Sequence, residues 1–366
     1  MRVLVVATNI DVPGTHGGST HVTELVAALG KRDETLLLAR RGSHGAGVLD
    51  VGLWPRTPPR GLRHALTLCS VAQAVRRVRA FAPDVIYERG SSYGAGTMLG
   101  MITGAPVVCM VLDEHVSPLS LDRAARIVAT APDLVSPLLQ HKTVRVSWGA
   151  NVSRFHPDVD PIPLRTRLEL GRPLVTYAGS FRDWHGVDVL LDALAICRHR
   201  AIDVLLVGDG PERASLVERA RLLPQRVIMP GALPYTDMPA VLAASDVFVA
   251  PFVPTRHPLS QRRGFVLDPL KLFESLASEV PTITVRARNI EGMFRDGEHL
   301  VMVPSGSPQA LARAIDSMLD DPLAARDMAR RGGDEVRRRY TWDAHAQQLH
   351  GLFETVCASD RVDQRS

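Results

Sequence analysis

The chain of 366 residues contains only four cysteines, and they are widely separated, with no Cys-x-x-Cys pair. This spacing argues against a zinc site or a disulfide framework, and it fits a reducing cytoplasm. Aromatic residues make up only 5% of the chain and do not alternate with basic residues. Because single-stranded nucleic acid is bound on such aromatic and basic platforms, we expect no nucleic-acid partner.

The sequence also lacks a long apolar run, since no window approaches the roughly 20 apolar residues that span a bilayer. The first ten residues, MRVLVVATNI, hold an apolar stretch too short for the core of a signal peptide. They are typical of a buried first strand. We therefore expect a soluble, cytoplasmic protein. Its formal net charge of +4 fits an anionic small-molecule substrate or an anionic membrane surface.

Short apolar strands alternate with helices along the whole chain, which predicts an α/β protein with doubly wound parallel sheets. The length predicts two domains. A stretch rich in prolines and turn formers, residues 148–160, predicts a hinge between a first domain at 1–150 and a second at 158–341. The helix at 342–357 is expected to pack back onto the first domain. Ligands of paired sheets of this kind are expected in a cleft at the carboxyl ends of the strands.

The stretch 264–285, GFVLDPLKLFESLASEVPTITV, carries the clearest chemical signal. Asp268 is predicted as a helix N-cap with Pro269 in the first helical position, and Pro281 ends the helix. Free backbone N–H groups at such a start bind anions such as a diphosphate. Glu274 lies one turn further on, where its carboxylate can accept hydrogen bonds from a ribose. The alternative is an ordinary helix start with a solvated or ion-paired glutamate.

A glycine loop follows the first strand. Gly17 and Gly18 permit close approach of the backbone to a ligand, and Ser19 or Thr20 can cap a helix predicted over His21–Leu29. The loop matches neither Gly-x-Gly-x-x-Gly nor a P-loop, so a plain tight turn explains it equally well.

A helix predicted at 62–81 carries arginines beside an apolar face. Such a helix can dock on an anionic membrane, which makes peripheral membrane contact one interpretation. The other interpretation is a helix whose basic face is simply solvated.

Five further fragments stand in a familiar order: WGANVSRFHP, YAGSFRDWHGVDVLLDA, LLVGDGPER, PGALPYTDMPAVLAASDVFVAP and DPLKLFESLASEVPTIT. With the Gly17-Gly18 loop they resemble the retaining, nucleotide-sugar-dependent glycosyltransferases of family four, also called glycosyltransferase group 1. The resemblance covers nearly the whole chain. It implies the GT-B fold, in which two Rossmann-like domains face a central cleft, with the acceptor on the first domain and the donor on the second.

The resemblance also implies a donor site. Glu274 corresponds to the glutamate on the nucleotide ribose, Gly18 to the glycine that approaches the diphosphate, and Leu233 to the segment whose backbone contacts the base. The implied donor-binding residues are Gly17, Gly18, Ser180, Leu233, Leu267, Asp268, Leu270, Lys271 and Glu274.

The chain departs from the family pattern at several positions. The first glutamate of the family's pair would fall at Val266, and the arginine and lysine that neutralise the diphosphate would fall at Ser180 and His185. We expect Arg182 and His185 to take over part of that charge. Glu279 replaces a helix-ending glycine at an expected left-handed position, at a cost on the order of 1 kcal/mol.

Glycosyl transfer places negative charge on the leaving diphosphate, which a metal ion or protein cations can stabilise. Asp158-Val159-Asp160 has the form of a metal-binding Asp-x-Asp motif, but it lies among hinge prolines and is interpreted as linker. We therefore expect no metal and no other cofactor. The resemblance implies front-face attack assisted by the leaving phosphate.

For the acceptor side, Asp113, Glu114 and His115 follow a predicted strand of the first domain. His115 is a candidate catalytic residue that accepts the acceptor proton or contacts the phosphate. The alternative is a loop histidine satisfied by its neighbours.

The sequence thus favours an enzyme that moves a hexose from a UDP- or GDP-linked sugar to a small-molecule or lipid-linked acceptor. Two other hypotheses remain open: a nucleotide-sugar 2-epimerase on the same fold, and a non-catalytic glycosyltransferase-like subunit. The sequence indicates neither the sugar, nor the acceptor, nor an oligomeric state.

Overall fold

A computed structural model of the chain describes residues 1–14, 16–51, 62–114, 116–265 and 269–363. The chain divides into two compact units. Unit 1 comprises Met1–Trp148 and Trp342–Ser366, and unit 2 comprises Gly149–Thr341. The chain therefore passes from one unit to the other twice.

Unit 1 is built on a seven-stranded parallel sheet in the order β3-β2-β1-β4-β5-β6-β7. Strands β1 and β5 are buried along nearly their whole length, as expected of a parallel sheet with helices on both faces. The strands are β1 (Arg2–Ala7), β2 (Glu34–Ala39), β3 (Val48–Asp50), β4 (Val85–Arg89), β5 (Val107–Val111), β6 (Arg126–Ala129) and β7 (Thr143–Arg145).

Five α-helices of unit 1 are described, and the last of them, α14, packs against α1. They are α1 (Gly17–Leu29), α2 (Arg63–Phe81), α3 (Ala95–Thr103), α4 (Pro118–Arg123) and α14 (Trp342–Asp363). Short 3₁₀ helices occupy Gly90–Ser92, Pro132–Leu134 and Pro137–Lys142. The segment at the end of the chain is thus part of the first unit.

Unit 2 has a six-stranded parallel sheet in the order β10-β9-β8-β11-β12-β13. Its strands are β8 (Leu174–Ala178), β9 (Asp203–Val207), β10 (Arg226–Gly231), β11 (Val247–Ala250), β12 (Thr282–Val285) and β13 (Val301–Val303). Strands β8, β9, β11 and β12 are buried along their whole length, as expected of a parallel sheet covered on both faces.

The hydrophobic pattern did not predict three short α-helices of unit 2, which are α5, α9 and α11. It also did not predict the 3₁₀ helix at Asp183–His185, just before α6. The helices are α5 (Ile162–Arg167), α6 (Val187–Ile196), α7 (Arg213–Ala220), α8 (Met238–Ala243), α9 (Pro258–Arg263), α10 (Leu270–Ala277), α11 (Arg288–Glu291), α12 (Pro308–Asp320) and α13 (Pro322–Arg339). Short 3₁₀ helices occupy Asp183–His185, Tyr235–Asp237 and Pro254–Arg256.

The two sheets share one topology, in which the first strand of each unit lies between the second and the fourth. The direction of winding therefore reverses between β1 and β4 in unit 1, and between β8 and β11 in unit 2. Ligands of open parallel sheets bind outside the carboxyl ends of the strands at such a switch point. The loops after these four strands are consequently where the chemistry of each unit is expected.

Helix α1 begins earlier than predicted, at Gly17 rather than His21. Its N-cap is His16, whose imidazole accepts a hydrogen bond from the Ser19 N–H at 3.2 Å. The prediction of Ser19 or Thr20 as cap was wrong, because a ring nitrogen fills the role usually taken by a hydroxyl. Helix α14 also runs to Asp363, past the predicted end at residue 357, since neither glycine nor proline interrupts it there.

Helix α10 begins at Leu270, and Pro269 has extended backbone angles (φ −80°, ψ 102°) at its N-cap. The prediction that Pro269 occupies the first helical position was therefore wrong by one residue. The Pro269 carbonyl accepts a hydrogen bond from the Leu272 N–H at 2.9 Å and so starts the helix. After the helix, Glu279 is left-handed (φ 55°), as predicted, and its carboxylate pairs with Arg337 at 2.6 Å.

Helix α2 packs on the unit 1 core through Val71, Ala74 and Val78, and its opposite face is exposed. Leu68 on that face is 55% exposed. The arginines near the end of the helix are exposed as well. Over the residues that the structure describes, no helix has both the length and the apolar character needed to cross a bilayer.

A buried group of imidazole and indole rings lies where the chain leaves unit 1 and returns to it. The His21 ring of α1 lies 4.5 Å from the Trp148 ring and 5.5 Å from the Trp342 ring. His345 donates from Nδ1 to the Ser147 carbonyl at 2.9 Å. Burial lowers the pKa of His345 to about 4, and burial and Arg89 lower the pKa of His21. Both rings are neutral at pH 7.

These neutral imidazoles predict that acid destabilises the protein. Below the ordinary pKa of 6.5, the unfolded chain binds a proton at His345 that the folded chain does not bind until about pH 4. The loss at pH 5 is about 2 kcal/mol for this residue. In urea denaturation at pH 7 and pH 5, a His345→Gln variant should lose less stability on acidification than the original protein. Equal losses in both proteins would contradict the assignment.

Candidate active site

The loop after β8 is organised around one carbonyl group, that of Ser180. The Tyr177 hydroxyl donates to this oxygen at 2.8 Å, and His185 Nδ1 lies 2.6 Å from it. Because a carbonyl only accepts hydrogen bonds, Nδ1 must carry the imidazole proton. The loop at the switch point of unit 2 is therefore a hydrogen-bonded turn with a defined histidine tautomer.

His185 is buried, and its pKa is lowered to about 2 by that burial, then by the positive charge of Lys271. Its ring lies edge-on to the Trp184 ring at 4.0 Å, and 5.8 Å from the ring of Phe252. The imidazole is thus neutral at pH 7. A neutral imidazole argues against the expectation that His185 carries part of the positive charge. A catalytic role for His185 stays a prediction.

Lys271 reaches the same loop from the first turn of α10. Its Nζ lies 3.3 Å from the Tyr177 hydroxyl, 4.5 Å from the centre of the Tyr177 ring and 5.1 Å from that of Phe252. Burial of the ammonium group lowers the pKa of Lys271 to about 7, and the nearby Glu274 carboxylate partly opposes this. Helix α10 and the loop after β8 therefore meet at a cation held between aromatic rings.

Two glycines make this arrangement possible. Gly179 has φ 146°, and a Cβ placed there would lie 2.3 Å from Lys271 Nζ. Gly208, at the end of β9, has φ 149°, and its Cβ would lie 1.9 Å from the Gly179 carbonyl oxygen. Neither position accepts a side chain, so the glycines bring two loops into contact and leave space for the lysine.

Glu274 lies one turn along α10 and is only 8% exposed. The Tyr235 hydroxyl donates to its Oε1 at 3.0 Å, and the Tyr235 ring packs 5.6 Å from the ring of Phe155. Leu233, two residues before Tyr235, and Leu270, at the start of the helix, are half-buried. A buried carboxylate is thus held by a tyrosine from the segment predicted to contact the nucleotide base.

Arg182 is exposed, and its charge is one of the causes that lower the pKa of His185. Arg256 holds the same turn from the other side, since its Nη1 lies 2.8 Å from Asp183 and 2.9 Å from Asp188. The described candidates of unit 2 therefore converge on the carboxyl end of its sheet.

In unit 1, a hydrogen-bonded series crosses the switch point between β1 and β4. The Ser91 hydroxyl donates to Asn9 at 3.0 Å, and Arg89 donates to Ser91 at 3.2 Å and to His21 Nδ1 at 3.1 Å. Burial lowers the pKa of Arg89 to about 10, and the Asp113 carboxylate opposes this. The charges of Arg89 and Asp113 thus act on each other at this edge.

Gly17 and Gly18 lie in the first turn of α1, next to that edge. A Cβ at Gly18 would lie 3.1 Å from His16 Nδ1 and 3.2 Å from Ile10 Cδ1, so a larger residue would crowd the loop. His115, Val266, Leu267 and Asp268 lie outside the described residues, and the roles predicted for them stay predictions.

The sequence did not point to Tyr177, Phe252 or Arg89. Tyr235 was covered only by the segment at Leu233 that is predicted to contact the nucleotide base. The first three lie within two residues of the end of a buried strand. Tyr177 and Arg89 are each followed closely by glycine, at Gly179 and Gly90. A polar or aromatic residue at a strand end before glycine was the available signal.

The Asp-x-Asp motif of the hinge has a local role. Asp160 Oδ1 accepts a hydrogen bond from the Ile162 N–H at 2.9 Å, just before α5. Asp158 is exposed and lies 3.8 Å from His156. Both contacts are those of a turn, as the linker interpretation expects.

Comparison with known families decides the nature of unit 2. Residues 172–321 match the family model described as "Glycosyl transferases group 1". Unit 2 carries a group 1 glycosyltransferase domain. The resemblance stated from the sequence is confirmed, and the site around Glu274 and Lys271 lies inside the matched region.

Curated relatives agree with this assignment. The chain is 30% identical over 241 residues to a D-inositol 3-phosphate glycosyltransferase of Corynebacterium glutamicum, covering 60% of this chain and 53% of that protein. It is 32% identical over 177 residues to a phosphatidyl-myo-inositol mannosyltransferase of Mycobacterium leprae, covering 48% and 44%. The chain thus spans about half the length of these curated relatives.

Solved structures resemble the chain over nearly its whole length. Anabaena HepE in complex with UDP-glucose has a TM-score of 0.77 at 19% identity, covering 97% of this chain and 100% of that one. At this identity the likeness shows the fold alone. The expected GT-B fold class, with two Rossmann-like parallel sheets, is confirmed.

The geometry of the loop after β8 predicts that the His185 imidazole does not titrate near neutral pH. Its ring carbon and proton resonances, identified by comparison with a His185→Asn variant, should keep the chemical shifts of a neutral imidazole from pH 5 to pH 8, with only a small change as the neighbouring Lys271 titrates near pH 7. A change of the full size that histidine protonation causes, with a midpoint near the ordinary value of 6.5, would show that the ring is not buried in this turn.

Proposed function

We propose that this chain is a retaining glycosyltransferase that moves a hexose from a UDP- or GDP-linked sugar to a small-molecule or lipid-linked acceptor. The observation that carries the proposal is Glu274, a buried carboxylate fixed by Tyr235 at 3.0 Å near the start of α10. In that place it can accept hydrogen bonds from a ribose while the first N–H groups of the helix face the diphosphate.

The proposed reaction proceeds on one face of the sugar. The bond between the anomeric carbon and the diphosphate oxygen breaks, the acceptor oxygen bonds to the same face, and the acceptor proton passes to the departing diphosphate. Helix-start N–H groups and the exposed Arg182 stabilise the charge that develops on the phosphates. Because these groups belong to the protein, the proposed reaction is independent of metal ions.

The acceptor is proposed to bind at the carboxyl edge of the unit 1 sheet. Two curated relatives are named for inositol-bearing acceptors, one a phosphate and one a phospholipid. A guanidinium and a carboxylate that act on each other electrostatically, as Arg89 and Asp113 do, suit a ligand with both phosphate and hydroxyl groups. An inositol phosphate, free or lipid-linked, is therefore the proposed acceptor class.

A lipid-linked acceptor fits the exposed surface of α2. The helix exposes Leu68 and the arginines at 76, 77 and 79, a combination that suits contact with an anionic membrane. The cysteines are free thiols, which supports a reducing, cytoplasmic compartment. We propose a cytoplasmic enzyme that contacts the membrane peripherally.

The proposed ribose contact predicts the effect of Glu274→Ala. Removal of the carboxylate should weaken binding of the preferred nucleoside diphosphate by about 1–3 kcal/mol, because the ribose hydroxyls lose a buried acceptor. Calorimetry measures this, with Glu218→Ala, an exposed carboxylate on α7, as the matched control. Unchanged affinity in Glu274→Ala would refute the ribose contact.

The reaction type predicts the product. Incubation with UDP-glucose, GDP-mannose and inositol phosphate should yield a glycoside with the anomeric configuration of the donor sugar, as read from its NMR coupling constants, and EDTA should leave the rate unchanged. An inverted product or loss of activity in EDTA would contradict the mechanism. Interconversion of the free nucleotide sugars would instead indicate the 2-epimerase, and donor binding without any turnover the non-catalytic subunit.

A further inference from the structure

The family resemblance implies an arginine at position 180 and a lysine at position 185. This chain has a cation at neither position. Position 180 is a serine, and position 185 is a histidine that is buried and neutral. A leaving diphosphate still requires positive charge in a site that excludes water. Beyond Arg182 and the helix-start N–H groups, further positive charge must therefore come from another element that reaches the same loop.

Lys271 is connected to both of these positions through a single hydroxyl group. Its Nζ lies 3.3 Å from the Tyr177 hydroxyl, which donates to the Ser180 carbonyl at 2.8 Å. The same hydroxyl lies 2.9 Å from His185 Nδ1. The ammonium group of α10 thus stands beside the loop whose expected cations are replaced.

The backbone is shaped around this lysine. Gly179 leaves the space that Nζ occupies, since a Cβ there would lie only 2.3 Å away. The rings of Tyr177 and Phe252 hold the ammonium group on two sides at 4.5 Å and 5.1 Å. These contacts place a cation with little freedom, at the helix start where the diphosphate is proposed to bind.

We propose that Lys271 supplies the positive charge that stabilises the leaving diphosphate, in place of cations at positions 180 and 185. The inference rests on the proposed function and makes Lys271 a catalytic residue of that reaction. In this chain the proposed cation lies on α10, and in the family pattern the cations lie at positions 180 and 185 of the loop after β8. Ser180 and His185 then serve as positioning residues that fix Tyr177.

The protonation chemistry of the site supports this role. The groups around Lys271 are Tyr177 and the neutral His185 from the loop, and Glu274 on its own helix. Arg182 and His257 act electrostatically on His185 as well. Burial lowers the pKa of Lys271 to about 7. A bound diphosphate raises that pKa, so binding at pH 8 should take up a proton.

The test compares nucleoside diphosphates with nucleosides. Calorimetry with UDP, GDP and ADP and with uridine, guanosine and adenosine identifies the preferred pair. In Lys271→Met the ratio of diphosphate to nucleoside affinity should fall on the order of 10- to 100-fold, the effect of losing a hydrogen bond to a charged group. The nucleoside affinity should stay unchanged, which shows that the variant is folded. Arg330→Met, an exposed cation on α13, should behave as the original protein.

Proton uptake gives a second readout. Titrations at pH 8 in buffers of different ionisation enthalpy should show uptake on diphosphate binding in the original protein and none in Lys271→Met. An unchanged affinity ratio in Lys271→Met, with transfer activity retained, would overturn the inference and leave the proposed function standing. If the original protein binds no nucleoside diphosphate, the proposed function fails and the inference with it.

Discussion

The contact between Lys271 and Tyr177 is the interaction on which the site of unit 2 depends. It joins the first turn of α10 to the loop after β8 through a hydroxyl group that also fixes the Ser180 carbonyl. A side chain at position 179 would displace the Lys271 ammonium group from this place. Without the lysine, α10 presents no cation to that loop. The position of the charge therefore depends on both the helix and the loop.

Topology explains why these residues meet. Both sheets reverse their winding after the first strand, and the residues that carry chemistry follow β8 and β11 in unit 2, and β1 and β4 in unit 1. Each unit presents a different chemistry at its switch point. Unit 2 offers a helix start, a lysine and a buried carboxylate, which suit a sugar nucleotide. Unit 1 offers Arg89, whose charge the Asp113 carboxylate favours, and this suits a polar acceptor.

Much of this architecture was predictable from the sequence because fully buried strands appear as continuous apolar runs, as β1 and β11 do. Glu274 was found for the same kind of reason, since Asp268-Pro269 before an apolar run is a local signal of a helix start. The role of Lys271 was not predictable in this way. Its neighbours Tyr177, Gly179 and Phe252 are distant in sequence, and its protonation depends on burial that only the packed structure defines.

The central claim is that a nucleoside diphosphate binds where α10 meets the loop after β8. Hydrogen–deuterium exchange with and without saturating UDP or GDP tests it most directly, because bound ligand protects backbone amides at its site. The account predicts slower exchange at residues 177–186, 231–235 and 269–277. Protection confined to other parts of the chain, with these three segments unchanged at saturation, would contradict it.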